Sequence, residues 1–533
     1  MIFFINAQMP EKKSGIEHAQ LKRLNLFNKM KQDARIVLRD WSSETHRLIE
    51  LAGIDDDHVI SMFDYYQNAM HVERQLVTPT DLDLGVMNLE FKPDYENKRY
   101  LAETIDGQLV ARINVDMESD RVLSTELFDG FGNLYRVDHY DNRGFVSLSQ
   151  WYTPDNQVGT EEWKTPSGRV AIEAFTKKNA RGEMKQSAWK LTTQDGKVYQ
   201  FDTIEEFTKH FFDDLNNDFW SDERPNIYIL DRDHLGDWAL LNMEKPAYRV
   251  IHLHNSHASD AQEPMHSILN QHYEYALNSM DRYDAFISAT KKQTKDVRAR
   301  FHPKTRLFTI PVGIVPDQLL NSERVPVKKR QFGKIVAFAR IAWEKHLDDL
   351  VRAVAIVHQA VPEVTLDLYG YADGSNNFEA RRLVEEVIKE NQLEDVVKLK
   401  GYTTDIDAVE NNAMMFGLTS RMEGFNLAVM EGIAHGLISF SYDVNYGPNE
   451  IVEDGVNGNV VPYGDYEAMA QAMIKVLKDP ELAQKYSTGA YDSSERYSDK
   501  NVWRAWRKLL KDAEERWPDK LKAMSEYRGE VRK

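Results

Sequence analysis

The sequence predicts an α/β chain built as two doubly wound halves, with an antiparallel β-rich insertion in the first. Three observations carry this. After a polar linker at 316–333, apolar strands and helical stretches alternate regularly (KIVAFARI, VTLDLYG, VVKLKGY, MMFGLTS, LISFSYDV), the pattern of βαβ units in a parallel sheet. Before the linker, NIYIL (226–230), YRVIHLHNSH (248–257), DAFISAT (284–290) and LFTIPVG (307–313) read as buried parallel strands ending in polar residues. Between 78 and 205, short alternating segments such as LVARINVDM and NLYRVDHY are punctuated by Asp106-Gly107, Asp129-Gly130, Asp141-Asn142, Pro154-Asp155 and Asp195-Gly196, which indicates a meander.

In chain order, a first strand at residues 2–6 leads through Met9-Pro10 to Ser14-Gly15. Ile16, Leu24 and Phe27 then follow at near-helical spacing, with Ser14 as N-cap and Glu17 three residues on. Strand, glycine-containing turn and helix place backbone N–H groups where α/β proteins bind ligands. The meander has no chemistry of its own and suits oligomer contact or acceptor binding. At the C-terminus Trp503, Trp506 and Leu510 share one helical face. No internal repeat stands out.

Composition narrows the classes. A chain of 533 residues exceeds one hydrophobic core, and 42% hydrophobic with 11% aromatic residues is too apolar for disorder. No apolar run reaches a membrane span, the N-terminus lacks the basic region of a signal peptide, and zero cysteines exclude disulfides, thiol catalysis and Cys-bound zinc. A cytoplasmic protein is the simplest expectation. A net charge of −18 opposes broad nucleic-acid binding, although 291–306 and Lys328-Lys329-Arg330 are basic tracts, read either as solvated charge or as a landing surface for a polyanionic acceptor.

SRMEGFNLAVMEGIAHGL (420–437) is the most informative segment. Glu423 ends the loop after MMFGLTS, Gly424 and Asn426 open a helix, and Glu431 sits on it. Their seven-residue separation corresponds to a rise of roughly 10 Å at about 1.5 Å per helical residue, the distance between sugar and ribose in a folded nucleotide-sugar. Carboxylates accept bidentate bonds from vicinal hydroxyls, and the N–H groups of Gly424, Phe425, Asn426 and Leu427 suit diphosphate oxygens. The plain alternative is a capped helix with surface glutamates.

In FARIAWEKHLDDL (338–350), Arg340 closes a strand and Lys345 follows in the next turn, two cations forming a diphosphate clamp. Pairing of Arg340 with a neighbouring carboxylate is the competing reading. Gly370-Tyr371 and Gly401-Tyr402-Thr403 end two further strands and could frame a nucleotide base. His252, His254 and His257 cluster at the end of the strand VIHLH; core packing and a catalytic or sugar-contacting role for His257 both remain open, and zinc is disfavoured for want of a carboxylate partner. Asp81-x-Asp83 and Asp231-x-Asp233 match a short metal-binding pattern that arises freely among 85 acidic residues, so no metal site is assigned.

These motifs resemble glycosyltransferase family 4, of GT-B fold, whose glutamate–seven residues–glutamate motif is EGFNLAVME here, preceded by the Arg/Lys pair and followed by FSYDVNYGPNEIVEDGVNGNVV (440–461). SGIEHAQLKRLNLFNK, the β-rich insertion and HNSH (254–257) are similar to the bacterial poly(glycerol-phosphate) α-glucosyltransferases of wall teichoic acid and the related accessory secretion system glycosyltransferases. Two positions depart from the pattern: Asn426 replaces the usual glycine after EGF, and Ser14-Gly15 the usual Gly-Gly.

The resemblance implies two Rossmann-like domains facing a cleft. Residues 1–77 and 206–320 form the acceptor domain, 78–205 the insertion, 321–495 the nucleotide-sugar domain, and 496–533 C-terminal helices packing back on the first domain. It implies a retaining hexosyltransferase (EC 2.4.1 type) moving glucose from a UDP-sugar to a polyol-phosphate polymer of wall teichoic acid, with no required cofactor or metal. Glu423 would contact the sugar, Glu431 the ribose, Arg340 and Lys345 the diphosphate, and His257 the reacting centre, with Ser14 and Gly15 on the acceptor side. The alternatives are glycosylation of a Ser-rich secreted adhesin, or a non-catalytic glycan-binding subunit. A homo-oligomer through the insertion and peripheral association with the inner membrane face complete the expectations, with no nucleic-acid partner.

Overall fold

The computed structural model describes residues 1–531, with side chains through residue 526. The end of the 496–533 segment beyond Val531 lies outside the described residues. The chain divides into two compact units, one of Met1–Lys13, Gln32–Tyr248 and the residues from Asp519 on, the other of Ser14–Lys31 and Arg249–Pro518.

In the first unit, four parallel strands lie in the order Val59–Ser61, Ala34–Leu38, Ile2–Asn6, Ile227–Leu230. Ile2–Asn6 and Ile227–Leu230 are buried along their whole length, which is why they read as unbroken apolar runs rather than alternating ones. The insertion is a ten-stranded antiparallel meander from Glu90–Asp94 to Val198–Phe201, each strand paired with its sequence neighbours.

The meander carries a periodicity. The same five-residue turn recurs at 104–108, 129–133, 141–145, 153–157, 165–169, 179–183 and 193–197, each closed by the first residue's N–H on the fifth residue's carbonyl. In every one the first residue is Thr, Asp or Asn and the fourth is Gly or Asn, so the repeat is written in the residue identities, against the expectation that no internal repeat stands out. The meander is tied to the unit by Arg143, which donates to Asp141 and Asp64, and by an aromatic cluster in which Phe63 meets Trp163 and Trp189. Aromatic pairs of this kind contribute about 0.5–1.5 kcal/mol each beyond their burial.

The second unit holds the parallel run Tyr248–Leu253, Ala285–Ser288, Arg306–Thr309 and a six-stranded parallel sheet. That sheet runs Val397–Gly401, Thr365–Tyr369, Lys334–Phe338, Met415–Leu418, Ile438–Tyr442, Gly458–Val461. Helices Leu347–Ala360, Ser375–Glu390, Leu427–Ala434 and Tyr466–Leu477 pack on it through apolar faces around Leu350, Val354, Phe416, Met430 and Met473. Helix Gly15–Lys29 starts with the expected capping box between Ser14 and Glu17, and its Phe27 packs edge-on against Trp503 and Trp506. No helix among the described residues is long and apolar enough to cross a membrane.

Candidate active site

The strand ends of the six-stranded sheet are drawn together by close backbone approach. Gly370 has φ +143°, and a Cβ there would lie 1.9 Å from the Ala339 carbonyl oxygen, so only glycine lets these two strand ends meet. Gly370 also donates its N–H to Gly401 O at 2.9 Å. Arg340, Gly370-Tyr371 and Gly401-Tyr402-Thr403 therefore stand beside one another at the same sheet edge, with Tyr371 and Tyr402 exposed. Strand Lys334–Phe338 stops two residues before Arg340, which lies in the loop and engages Glu344 (2.6 Å) and Asp373 (2.9 Å).

Lys345 ends the short turn Trp343–Lys345, and His346 then adopts a left-handed conformation (φ +49°) that redirects the chain into helix Leu347–Ala360. Thr419 donates to the His346 carbonyl at 2.8 Å, pinning the turn against the strand that precedes Glu423. Lys345 Nζ thereby reaches Glu423 Oε1 at 2.7 Å, with Glu423 buried.

Glu423 sits in a clamped loop. Its N–H donates to Asn445 O (3.1 Å), its carbonyl accepts from Tyr446 N–H (2.8 Å), and Gly424 lies so close to His254 that a Cβ would fall 1.9 Å from that carbonyl oxygen. Phe425 is buried edge-on against Tyr497. Asn426 caps helix Leu427–Ala434, its side chain accepting from Val429 N–H. The helix carries Glu431, whose carboxylate forms an ion pair with Lys22 on helix Gly15–Lys29. Beneath it, Glu410 is fully buried beside His435, and burial together with Glu431 pushes its carboxyl well above the usual range. A buried acid with a strongly raised pKa beside paired charges makes this locus a functional-site candidate.

Residues 321–493 match the family model described as glycosyl transferases group 1. Over this segment the chain is similar to the group 1 glycosyl transferases.

Over 537 aligned residues the glycosyltransferase is 26% identical to the UDP-N-acetylglucosamine–peptide N-acetylglucosaminyltransferase GtfA subunit of Streptococcus gordonii, covering 96% of this chain and 98% of the relative. It is 24% identical over 524 residues to the poly(glycerol-phosphate) alpha-glucosyltransferase of Bacillus subtilis, covering 95% of this chain and 74% of that one. The crystal structure of the pneumococcal O-GlcNAc transferase GtfA in complex with UDP and GlcNAc aligns with a TM-score of 0.79 at 23% identity, over 96% of this chain and 98% of that one. The fold is GT-B, with parallel α/β sheets and the antiparallel insertion expected from the sequence.

The structure brings Lys345, Glu423, Gly424, Asn426, Leu427 and Glu431 of the glycosyltransferase onto one loop–helix edge, while Arg340 is held by carboxylates in the pairing that sequence reading had left open. His257 is fully buried: Nε2 bonds the Pro264 carbonyl (3.1 Å), the ring stacks on Tyr446, and desolvation lowers it to about 4. Ser14 and Gly15 begin the helix that delivers Lys22.

Two further residues of the site escaped sequence reading. Lys22 is one of 67 basic residues, and its partner lies 409 positions away. Ser420, which donates to Glu423 Oε1 at 2.7 Å, had a local signal in its place three residues before the glutamate. In the basic tract 328–330, Arg330 proves structural: it is buried, with its guanidinium on the carbonyls of Glu410, Ala413 and His435.

Proposed function

We propose that this glycosyltransferase moves a sugar, with retention, from a UDP-sugar to serine or threonine hydroxyls of a Ser-rich protein, and that the sugar is N-acetylglucosamine. The similarity over 96% of the chain to a peptide N-acetylglucosaminyltransferase subunit carries the reading of acceptor and sugar, in place of the polyol-phosphate and glucose expected first. The Lys345–Glu423 pair supports the donor chemistry.

In this mechanism Glu423 receives hydroxyls of the donor sugar and Glu431 those of the ribose. Arg340 and Lys345 neutralise the diphosphate, with N–H groups of Gly424 to Leu427 at the helix start. Gly370, Tyr371, Tyr402 and Thr403 frame the base. The bond from the anomeric carbon to the phosphate oxygen breaks as UDP leaves, and the acceptor oxygen bonds that carbon on the same face. The acceptor's proton passes to the departing phosphate. The cations stabilise charge that develops only as UDP departs, which is where electrostatic stabilisation accelerates a step. His257 holds the Tyr446 segment, whose N–H supports Glu423, and Ser14 and Gly15 flank the acceptor side.

The polyol-phosphate acceptor stays as a second reading because Lys291, Lys292, Lys295 and Arg298 are exposed along helix Lys291–Phe301, a cationic stripe suited to a polyanion. The silent-subunit alternative is opposed by the presence of Arg340, Lys345, Glu423 and Glu431 together. The protein acts in the cytoplasm, as a subunit whose insertion meets a partner chain or another copy. The test offers UDP-N-acetylglucosamine and UDP-glucose, each with a Ser-rich peptide and a poly(glycerol-phosphate), and detects product by mass. Peptide carrying N-acetylhexosamine supports the proposal; sugar on the polymer alone overturns it in favour of the second reading.

A further inference from the structure

Glu423 is held on one side only. Its Oε1 accepts from Lys345 Nζ at 2.7 Å, Ser420 Oγ at 2.7 Å and Asn426 Nδ2 at 3.0 Å, while Oε2 takes part in none of these bonds. Three donors converging on one oxygen fix the rotation of the carboxylate and present the other oxygen in a single direction.

Asn426 is the unusual member of the three. Its amide orientation is set by its second bond: Oδ1 accepts from Val429 N–H at 2.9 Å as the cap of helix Leu427–Ala434. A donor N–H there requires the oxygen, so the amide nitrogen is turned towards Glu423. The backbone of Asn426 has φ +77°, a region that few residues with side chains tolerate and asparagine tolerates best. A glycine would accept that backbone and supply neither bond. Because the Glu423 backbone is already clamped by Asn445, Tyr446 and His254, the remaining freedom lies in its side chain, and Asn426 removes it.

We propose that Asn426 is a positioning residue that orients the Glu423 carboxylate for the donor sugar, while capping the helix that bears Glu431. The proposal rests on the reading of Glu423 as the sugar-contacting residue.

Two substitutions separate the roles. Asn426→Asp keeps the capping acceptor, since aspartate caps as well as asparagine, but turns a second carboxylate towards Glu423. Asn426→Ser keeps a capping oxygen and lacks the second donor. With UDP-N-acetylglucosamine and a Ser-rich peptide, both should lose about tenfold or more in kcat at pH 8, Asn426→Asp with Tm nearly unchanged and Asn426→Ser with Tm lowered by the backbone strain that serine tolerates less well. The loss in Asn426→Asp, but not in Asn426→Ser, should shrink as pH falls, because two carboxylates sharing a site take up one proton and regain a donor. Wild-type kcat in both variants, or losses that follow Tm with no pH recovery, would overturn the proposal. Glu423→Gln separates this from the parent reading: full activity there defeats the role of Glu423 itself, whereas an inactive Glu423→Gln beside fully active Asn426 variants defeats only the inference.

Discussion

Lys345 Nζ lies 2.7 Å from Glu423 Oε1, across 78 residues of chain. The contact is delivered by backbone: a three-residue turn, a left-handed His346 and the Thr419 hydroxyl on the His346 carbonyl. Lys345 thus serves two anions, the glutamate now and the departing diphosphate in the proposed reaction. Lys345→Ala should lower kcat about 100-fold or more, the usual consequence of removing one charge-stabilising donor. Tm should fall by only a few degrees, because Ser420 and Asn426 still bond Glu423. Parallel kinetics and thermal melts check both halves.

Lys22 gives a different expectation. It neutralises Glu431, which stands over the buried Glu410. Without Lys22 the Glu431 carboxylate loses the ion-pair partner that fixes its position. Lys22→Met should weaken UDP binding several-fold with little change in kcat, and Lys22→Arg should restore most of it. Titration calorimetry with UDP measures this directly.

Gly424 tests the clamp. A methyl group there would lie 1.9 Å from the His254 carbonyl oxygen and 2.5 Å from its carbon, both backbone atoms that no rotamer change can move. Gly424→Ala should therefore displace the Glu423 loop, lowering kcat at least tenfold and Tm by several degrees. A variant with native kinetics would show that the contact does not constrain the loop.

How much of this was legible in the sequence depends on the range of the contact. EGFNLAVME announces a loop and a helix bearing two carboxylates, because cap, helix and glutamates are all local. Lys345 could be read as a site residue from its place after a strand, yet its pairing with Glu423 depends on sheet order, which brings strands Lys334–Phe338 and Met415–Leu418 side by side. Lys22 could not be read at all, since a lone lysine on an amphipathic helix has no local signature of its partner. For Arg340 both alternatives are visible and the fold decides between them: Glu344 is four residues on, whereas Asp373 arrives from the next strand end. His257 was legible as one of a cluster, but its burial against Pro264 and Tyr446 arises from loops that carry no periodic pattern.

His257 also makes a pH prediction. Burial holds it down to about 4 in the folded protein, against about 6.5 when unfolded. The unfolded state therefore binds the proton first, so stability from this group is complete above about pH 6.5 and is lost as pH falls towards 4. Tm should drop across that window, and His257→Gln should show a flatter dependence there, whatever its Tm at pH 8.

The central claim is retaining transfer at the pocket of Lys345 and Glu423, and proton NMR of the glycosylated Ser-rich peptide made from UDP-N-acetylglucosamine tests it most directly. The account predicts an α-linked sugar on a seryl or threonyl oxygen, formed by the wild type and absent with Lys345→Ala. A β-linked product, or α-linked product formed equally well without Lys345, would contradict it.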